Sequence, residues 1–317
     1  MKISLKNHLG QAERRALLAA LARLFPEARF RPVPGGLAVS GLAAEKAADA
    51  APLIENLPGA SEVLFSDEEL CPLACRRSRP ALRKPLDFKS KPVFIAGPCA
   101  VEETESYLAS ALALKAAGAN ALRAALFKPR SSPYAFQGIG WPGLKIIARA
   151  AKLTGLPLVT EATDTRQVER LAEVCAVLQI GARNMRNYEL LKEAARSGRA
   201  VLLKRGMQAG LREWLLSAEY LLKHGAKELI LCERGDSRAA GLDFKKLREA
   251  KTLTGLPVLA DPSHISGDRR AAAALARAAL NAGADGLLIE ASTGPLTARV
   301  DGRQTITIET FRSLTAK

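Results

Sequence analysis

The chain has no apolar run approaching the roughly 20 residues that a membrane-spanning helix needs, and its first residues, MKISLKNHLGQAERR, hold no apolar signal core. We therefore expect a cytoplasmic protein with no membrane partner. Aromatic residues are only 5% of the 317, so stacking platforms for single-stranded nucleic acid are scarce. A net charge of +15 and an isoelectric point near 9.9 would otherwise favour such a partner. The cations, however, alternate with Asp and Glu along helix-like stretches, apart from the cluster RRSRPALRK at residues 76–84. No nucleic-acid partner is expected, and the surplus reads as a basic background plus a cationic pocket. The five cysteines are odd in number and widely spread, and Cys71 and Cys75 lack the two further nearby ligands that zinc would need. Cys175 and Cys232 lie inside apolar runs and read as core thiols, which leaves Cys99 as the one placed for chemistry.

What the chain does have is a series of short apolar runs from Val93 onward, each with a reactive or charged side chain at or near its end. VFIAGPC ends at Cys99, ALRAALFKPR at Arg130, PLVTEA at Glu161, VLQIGAR at Arg183 and AVLLKR at Lys204 and Arg205. LILCER ends at Arg234, PVLADPSH at His264 and GLLIE at Glu290. Helix-like stretches such as PGLKIIARAAKLTG separate them, most finishing at a glycine that can cap a helix in the left-handed conformation. Strand and helix alternating in this way predict a (β/α)8 TIM barrel, an α/β fold in which every strand delivers its C-terminal residues to one face. Before it, KISLK, ARFRPVP, GGLAVSGL and ASEVLFSD read as strands, with two helices between them. That βαββαβ order predicts a small α+β ferredoxin-like domain, regulatory or for assembly. The basic, proline-containing segment makes the linker, giving domains at 1–85 and 86–317.

Cys99, His264, Glu290 and Asp301 would meet at the barrel mouth. Thiolate, imidazole and carboxylate together suit one borderline divalent cation, Mn, Fe, Co or Zn, with room for water. A second set is cationic. Arg183 follows Gly181 and Ala182, small residues that let an anion approach the main chain, and Lys204 and Arg234 come from neighbouring runs. Arg123 and Lys128 stand an odd number of residues apart, so strict strand alternation would put them on opposite faces, and a bulge or the strand end must intervene for both to face the pocket. A doubly anionic small molecule is the implied ligand.

In order along the chain, AGPCAVE, LRAALFKPRSSPYAFQG, VTEATD, QIGARN, LLKRG, ILCERG, DPSH and DGRQ resemble the 3-deoxy-7-phosphoheptulonate synthases of the shikimate pathway. The match is to the type I beta branch, shared with the 3-deoxy-octulosonate 8-phosphate synthases, and the N-terminal βαββαβ looks like a regulatory domain that some of these enzymes carry. The resemblance implies a metal-dependent aldol-type condensation of phosphoenolpyruvate with erythrose 4-phosphate, usually in a homo-oligomer, a tetramer or dimer. It implies Cys99, His264, Glu290 and Asp301 as metal ligands, and Arg123, Lys128, Glu161, Ala182, Arg183, Lys204 and Arg234 around phosphoenolpyruvate. Pro129, Arg130, Ser131 and Ser132 would take the aldose phosphate, with Asp301 near its hydroxyls, and Lys128, Cys99 and His264 would carry the chemistry. KPRSS stands where the octulosonate enzymes read KANR, and many of those have Asn where this chain has Cys99.

The chain departs from the family pattern at several places. Ala124 and Ala125 replace two glycines, the loop DSRAAGLDF is short, and residues 292–295, Ser-Thr-Gly-Pro, stand where a His-Pro is usual. Val300 precedes Asp301 in place of a small polar residue, and Gly210 replaces a common threonine. These leave two alternatives: a sibling synthase taking another aldose phosphate, such as arabinose 5-phosphate, and a non-catalytic phosphoenolpyruvate-binding paralogue.

Overall fold

The computed structural model describes residues 1–76, 85–89, 91–236 and 241–316. Two compact units emerge, Met1–Cys75 and Arg76–Lys317. Residues 77–84, most of the expected linker, and 237–240 in the loop after Arg234 lie outside the described residues.

In the first unit β1 (Lys2–Leu5), β2 (Arg29–Val33), β3 (Gly36–Ser40) and β4 (Ala60–Leu64) form an antiparallel sheet in the order β2-β3-β1-β4. Helices Gln11–Leu24 and Ala44–Glu55 connect them, so the expected ferredoxin-like order is present. Leu17 and Leu21, one turn apart on the first helix, pack with Ile54 of the second and with Ile3, Leu37 and Val63 of the sheet.

The second unit is a closed parallel barrel of eight strands among the described residues. They are β5 (Val93–Gly97), β6 (Ala121–Arg123), β7 (Leu158–Ala162), β8 (Val177–Ile180), β9 (Ala200–Lys204), β10 (Leu229–Glu233), β11 (Val258–Ala260) and β12 (Gly286–Ser292). Neighbours in sequence pair in parallel, and β12 pairs with both β5 and β11, which closes the ring. Helices fill the crossovers, several started by side-chain caps such as Asp164, Asn187 and Asp268, and three ended by left-handed Gly155, Gly255 and Gly267.

Side chains alternate along each strand, and the interior cluster reveals which set faces in: Val93, Ile95, Ala121, Val159, Val177, Ala200, Leu202, Ile230, Cys232, Leu259 and Leu288. Two steps further along the same faces stand Arg123, Glu161, Gln179, Lys204, Arg234, Asp261 and Glu290. The barrel is thus apolar below and polar above, and one strand period brings these seven polar side chains to the same end. Cys232 belongs to the apolar layer, and its burial pushes the thiol pKa up.

One expected run is corrected. ALRAALFKPR does not continue as a strand to Arg130, because the β6 ladder stops at Arg123. The chain then leaves the sheet, Thr160 Oγ1 donating to Ala124 O at 2.8 Å, and folds into a loop in which Lys128 N donates to Gln137 O at 2.8 Å. The parity conflict between Arg123 and Lys128 disappears, since only Arg123 is on the strand.

Candidate active site

At the C-terminal end of the barrel a cavity of about 480 Å³ is lined by Lys128, Pro129, Arg130, Ser131, Ser132, Glu161, Ala182, Arg183, Lys204, Arg234, His264 and Asp301, and also by Gln179 and Gln304. Twelve residues singled out in the sequence therefore share one wall. Arg123, Cys99 and Glu290 do not line it; they are 3%, 1% and 0% exposed and lie in the buried layer beneath. Arg205, also counted among the run ends, turns away into a fully buried pair with Glu233.

Cys99, His264, Glu290 and Asp301 bring one donor atom each to within 4.8 Å of one another. Cys99 Sγ is 2.9 Å from Asp301 Oδ2, and His264 Nε2 is 3.3 Å from Glu290 Oε1. Donors bound at about 2.0–2.3 Å around a tetrahedral ion stand roughly 3.3–3.8 Å apart, so the spacing suits a single cation. Two further features fit. Glu290 Oε1 is buried and accepts no hydrogen bond, with Arg123 Nη2 at 3.4 Å. Burial first, and then the Glu290 carboxylate, push the Cys99 thiol well above its ordinary range, so a thiolate here needs a positive ion beside it. Among the described residues Cys71 and Cys75 join no such group.

Around these donors a set of supporting contacts fixes their orientation. Asp261, fully buried, lies with Oδ2 2.7 Å from His264 Nδ1 and 2.5 Å from Lys204 Nζ, leaving Nε2 of the imidazole for the donor cluster. Burial alone would raise the Asp261 pKa, but His264 and Lys204 hold it well below the usual carboxylate range. Gln304 Nε2 donates to Glu290 Oε2 at 3.2 Å, and Glu290 N donates to Ser263 Oγ at 2.9 Å. Asp301 stays below the ordinary carboxylate value: burial works against this, but the Cys99 hydrogen bond and then His264 outweigh it.

Five cationic side chains, Lys128, Arg130, Arg183, Lys204 and Arg234, face two carboxylates, Glu161 and Asp301, across the cavity. Lys128 keeps its charge: desolvation pulls its pKa down, while Cys99 and Glu161 raise it above the ordinary value. Gln179 Nε2 donates to Glu161 Oε2 at 3.0 Å and orients that carboxylate. A Cβ at Gly181 would lie 2.1 Å from Glu161 Oε1 and would push that carboxylate out of this position. Arg183 Nη1 donates to Pro129 O at 2.7 Å, joining the loop after β8 to the KPRSS loop, and Gln137 Nε2 closes that loop on Ser132 O and Ala135 O.

Asp261, Gln179 and Gln304 were not singled out in the sequence. Asp261 and Gln179 stand two residues beyond inward-facing Leu259 and Val177, so strand parity is the signal that finds them. Gln304 lies in a turn, where no such period applies.

Residues 88–317 match the model of the DAHP synthetase I family. The chain is 40% identical over 225 residues, 69% of its own length and 67% of the relative's, to a phospho-2-dehydro-3-deoxyheptonate aldolase of Thermotoga maritima. It is 33% identical over 236 residues to a 2-dehydro-3-deoxyphosphooctonate aldolase of Syntrophotalea carbinolica, covering 68% of this chain and 85% of that one. Among solved structures, the crystal structure of a Thermotoga maritima phospho-2-dehydro-3-deoxyheptonate aldolase (DAHP synthase) is similar with a TM-score of 0.81 at 31% identity, over 99% of this chain and 94% of that one. A truncated form of the 3-deoxy-D-arabino-heptulosonate 7-phosphate synthase of the same organism is similar at a TM-score of 0.66 and 36% identity, over 72% and 85%.

Proposed function

The chain belongs to the DAHP synthetase I family, and we propose that its barrel, residues 86–317, joins phosphoenolpyruvate to erythrose 4-phosphate with water, giving 3-deoxy-7-phosphoheptulonate and phosphate, the first step of the shikimate pathway. One observation carries the reading of the site: a thiol, imidazole and two-carboxylate donor set, with His264 and Asp301 on the cavity lining and Cys99 and Glu290 buried behind it, adjoins a cavity lined by five cations. Donor set and cavity correspond to the two needs of the reaction, an electrophilic aldehyde and a multiply charged enol phosphate.

Lys128, Arg183, Lys204 and Arg234 would bind the phosphate and carboxylate of phosphoenolpyruvate, with Arg123 adding positive charge from below and Ala182 leaving the main chain accessible. Arg130, Ser131 and Ser132, with Pro129 shaping the loop, would take the phosphate of the aldose and point its aldehyde towards Asp301. Held so, C3 of phosphoenolpyruvate attacks the aldehyde carbon, water adds at C2, and phosphate departs by C–O cleavage, the near-attack geometry supplying much of the rate. Glu161, oriented by Gln179, is placed to accept a proton from that water, and Lys128 and Lys204 stabilise the charge that develops. Cys99, His264, Glu290 and Asp301 would hold one divalent cation, Mn, Fe, Co or Zn, which when bound polarises the aldehyde oxygen as a Lewis acid.

The test is phosphate release from phosphoenolpyruvate, comparing erythrose 4-phosphate with arabinose 5-phosphate and including a chelated control. Chelator-sensitive turnover with the four-carbon aldehyde is expected. Turnover only with the five-carbon one would move the chain to the octonate branch, and none with either would favour a binding role.

A further inference from the structure

Asp301 is the least anchored of the four donors by fold alone. Cys99 follows β5, His264 follows β11 and Glu290 is on β12, but Asp301 lies well past the end of β12 at Ser292, after a stretch without a strand or helix. It also sits at φ 55, one of only two non-glycine residues at positive φ among the described residues. A left-handed Asp is tolerated more readily than most side chains, yet the conformation still has to be imposed by its surroundings.

Those surroundings are specific. Arg299 N lies 2.9 Å from Glu102 Oε1 and 3.0 Å from Oε2, and Val300 N lies 3.2 Å from Oε1. Two consecutive backbone N–H groups thus donate to one carboxylate, an anion cradle made by the residues immediately before Asp301. Val300 is 1% exposed and packs with Cys99 and Ala100, while the Arg299 guanidinium stacks over Phe136 at 4.0 Å. After Asp301 the chain is held again, Gln304 N and Thr305 Oγ1 donating to Asp301 O. Glu102 lines neither the main cavity nor the second one beside Asp301. It stands three residues after Cys99, and its bonds to 299 and 300 therefore stitch together the two segments that carry the Cys99–Asp301 contact.

We propose that Glu102 is a positioning residue for the metal centre: its carboxylate binds the backbone before Asp301 and aims the Asp301 side chain at the donor cluster. The proposal rests on the reading of Cys99, His264, Glu290 and Asp301 as ligands. Valine at 300 belongs to the same device, since a buried apolar side chain fixes the depth at which the loop meets Cys99.

The experiment is a Co²⁺ titration of the full chain in competition with a chelator, following the near-ultraviolet thiolate-to-cobalt band that reports Cys99. The Glu102→Ala variant should bind Co²⁺ about 10- to 100-fold more weakly, the range typical for loss of a contact that orients a ligand. Glu102→Gln, which keeps one acceptor oxygen, should fall between it and the wild type. At saturating Co²⁺ both variants should show the band, and phosphoenolpyruvate affinity and the unfolding midpoint should match the wild type. Wild-type Co²⁺ affinity in both variants overturns the proposal, and should Glu102→Ala fail to fold, Glu102→Gln decides alone. A wild-type chain that takes up no Co²⁺ overturns the ligand reading itself, and this proposal with it.

Discussion

The Cys99 thiol is 1% exposed and 2.9 Å from Asp301 Oδ2, so alanine there removes a buried sulfur and a ligand together. The packing loss is about 1 kcal/mol, roughly one buried methylene's worth, which a barrel of this size tolerates. Cys99→Ala should therefore stay folded by circular dichroism while bound metal and turnover are both lost. Stoichiometric metal with full turnover would remove Cys99 from the ligand set. Asp261 makes a second case, because one carboxylate serves two partners. Asp261→Asn should weaken metal binding about 10- to 100-fold through His264 and raise the KM for phosphoenolpyruvate through Lys204. An effect on metal affinity alone would show that Lys204 does not depend on it. The sequence disclosed Cys99, His264, Glu290 and the cations because these sit at or near the ends of apolar runs, whereas Asp301 lies in the loop beyond β12. Asp261 is less legible within DPSH, since its partners Lys204 and His264 are met only in the fold, and so is Glu102, whose partners lie 197 and 198 positions away and meet it only through the path of a loop.

Between β9 and β10 the Arg205 and Glu233 side chains form a bidentate pair at 2.5 and 2.8 Å, both fully buried. Arg205 Nη1 also donates to Ala209 O, and Glu233 Oε1 accepts from Gly235 N, so the pair ties down the loops that follow Lys204 and Arg234. Glu233→Ala would strand a buried guanidinium and should cost about 3–5 kcal/mol in urea unfolding, whereas a cost near zero would mean water replaces the carboxylate. Asp243 starts the next helix, accepting from Lys246 N at 2.9 Å and facing Lys246 Nζ at 2.5 Å. Desolvation raises its pKa, but the Lys246 bonds prevail and hold it below the usual 3.8. A depressed carboxylate stabilises the fold above its unfolded pKa, and that contribution disappears as pH falls through the folded value. Wild type should accordingly lose more of its unfolding midpoint than Asp243→Asn between about pH 5 and about pH 3. Parallel losses would show that the charge is not linked to folding. Runs of apolar residues predicted all of these strands, but not where the ladders end: β6 stops after three residues, where Ala124 is held by Val159 and Thr160 of β7 and Lys128 by Gln137, partners that the run itself does not disclose.

The two-unit organisation was legible from a change in pattern, short strands around two helices giving way to regular alternation, and each unit has its own buried cluster. Where the boundary falls was less so, because residues 77–84 are read only by composition. All the proposed site residues belong to the unit from Arg76 onward, and so does the family match from residue 88. The barrel closes on itself, since β12 pairs with both β5 and β11, and among the described residues the two sheets share no strand. A chain beginning at residue 76 should therefore fold and keep metal-dependent phosphate release. Its kcat should stay close to that of the full chain, because positioning at the barrel mouth is carried by contacts such as Asp261 to Lys204 and Arg183 to Pro129 that lie inside it. Unfolding and steady-state kinetics on the two chains side by side check this. A truncated chain that folds but turns over far more slowly would mean that the N-terminal unit acts on the site from outside the barrel, and one that aggregates would make that unit part of the barrel's stability.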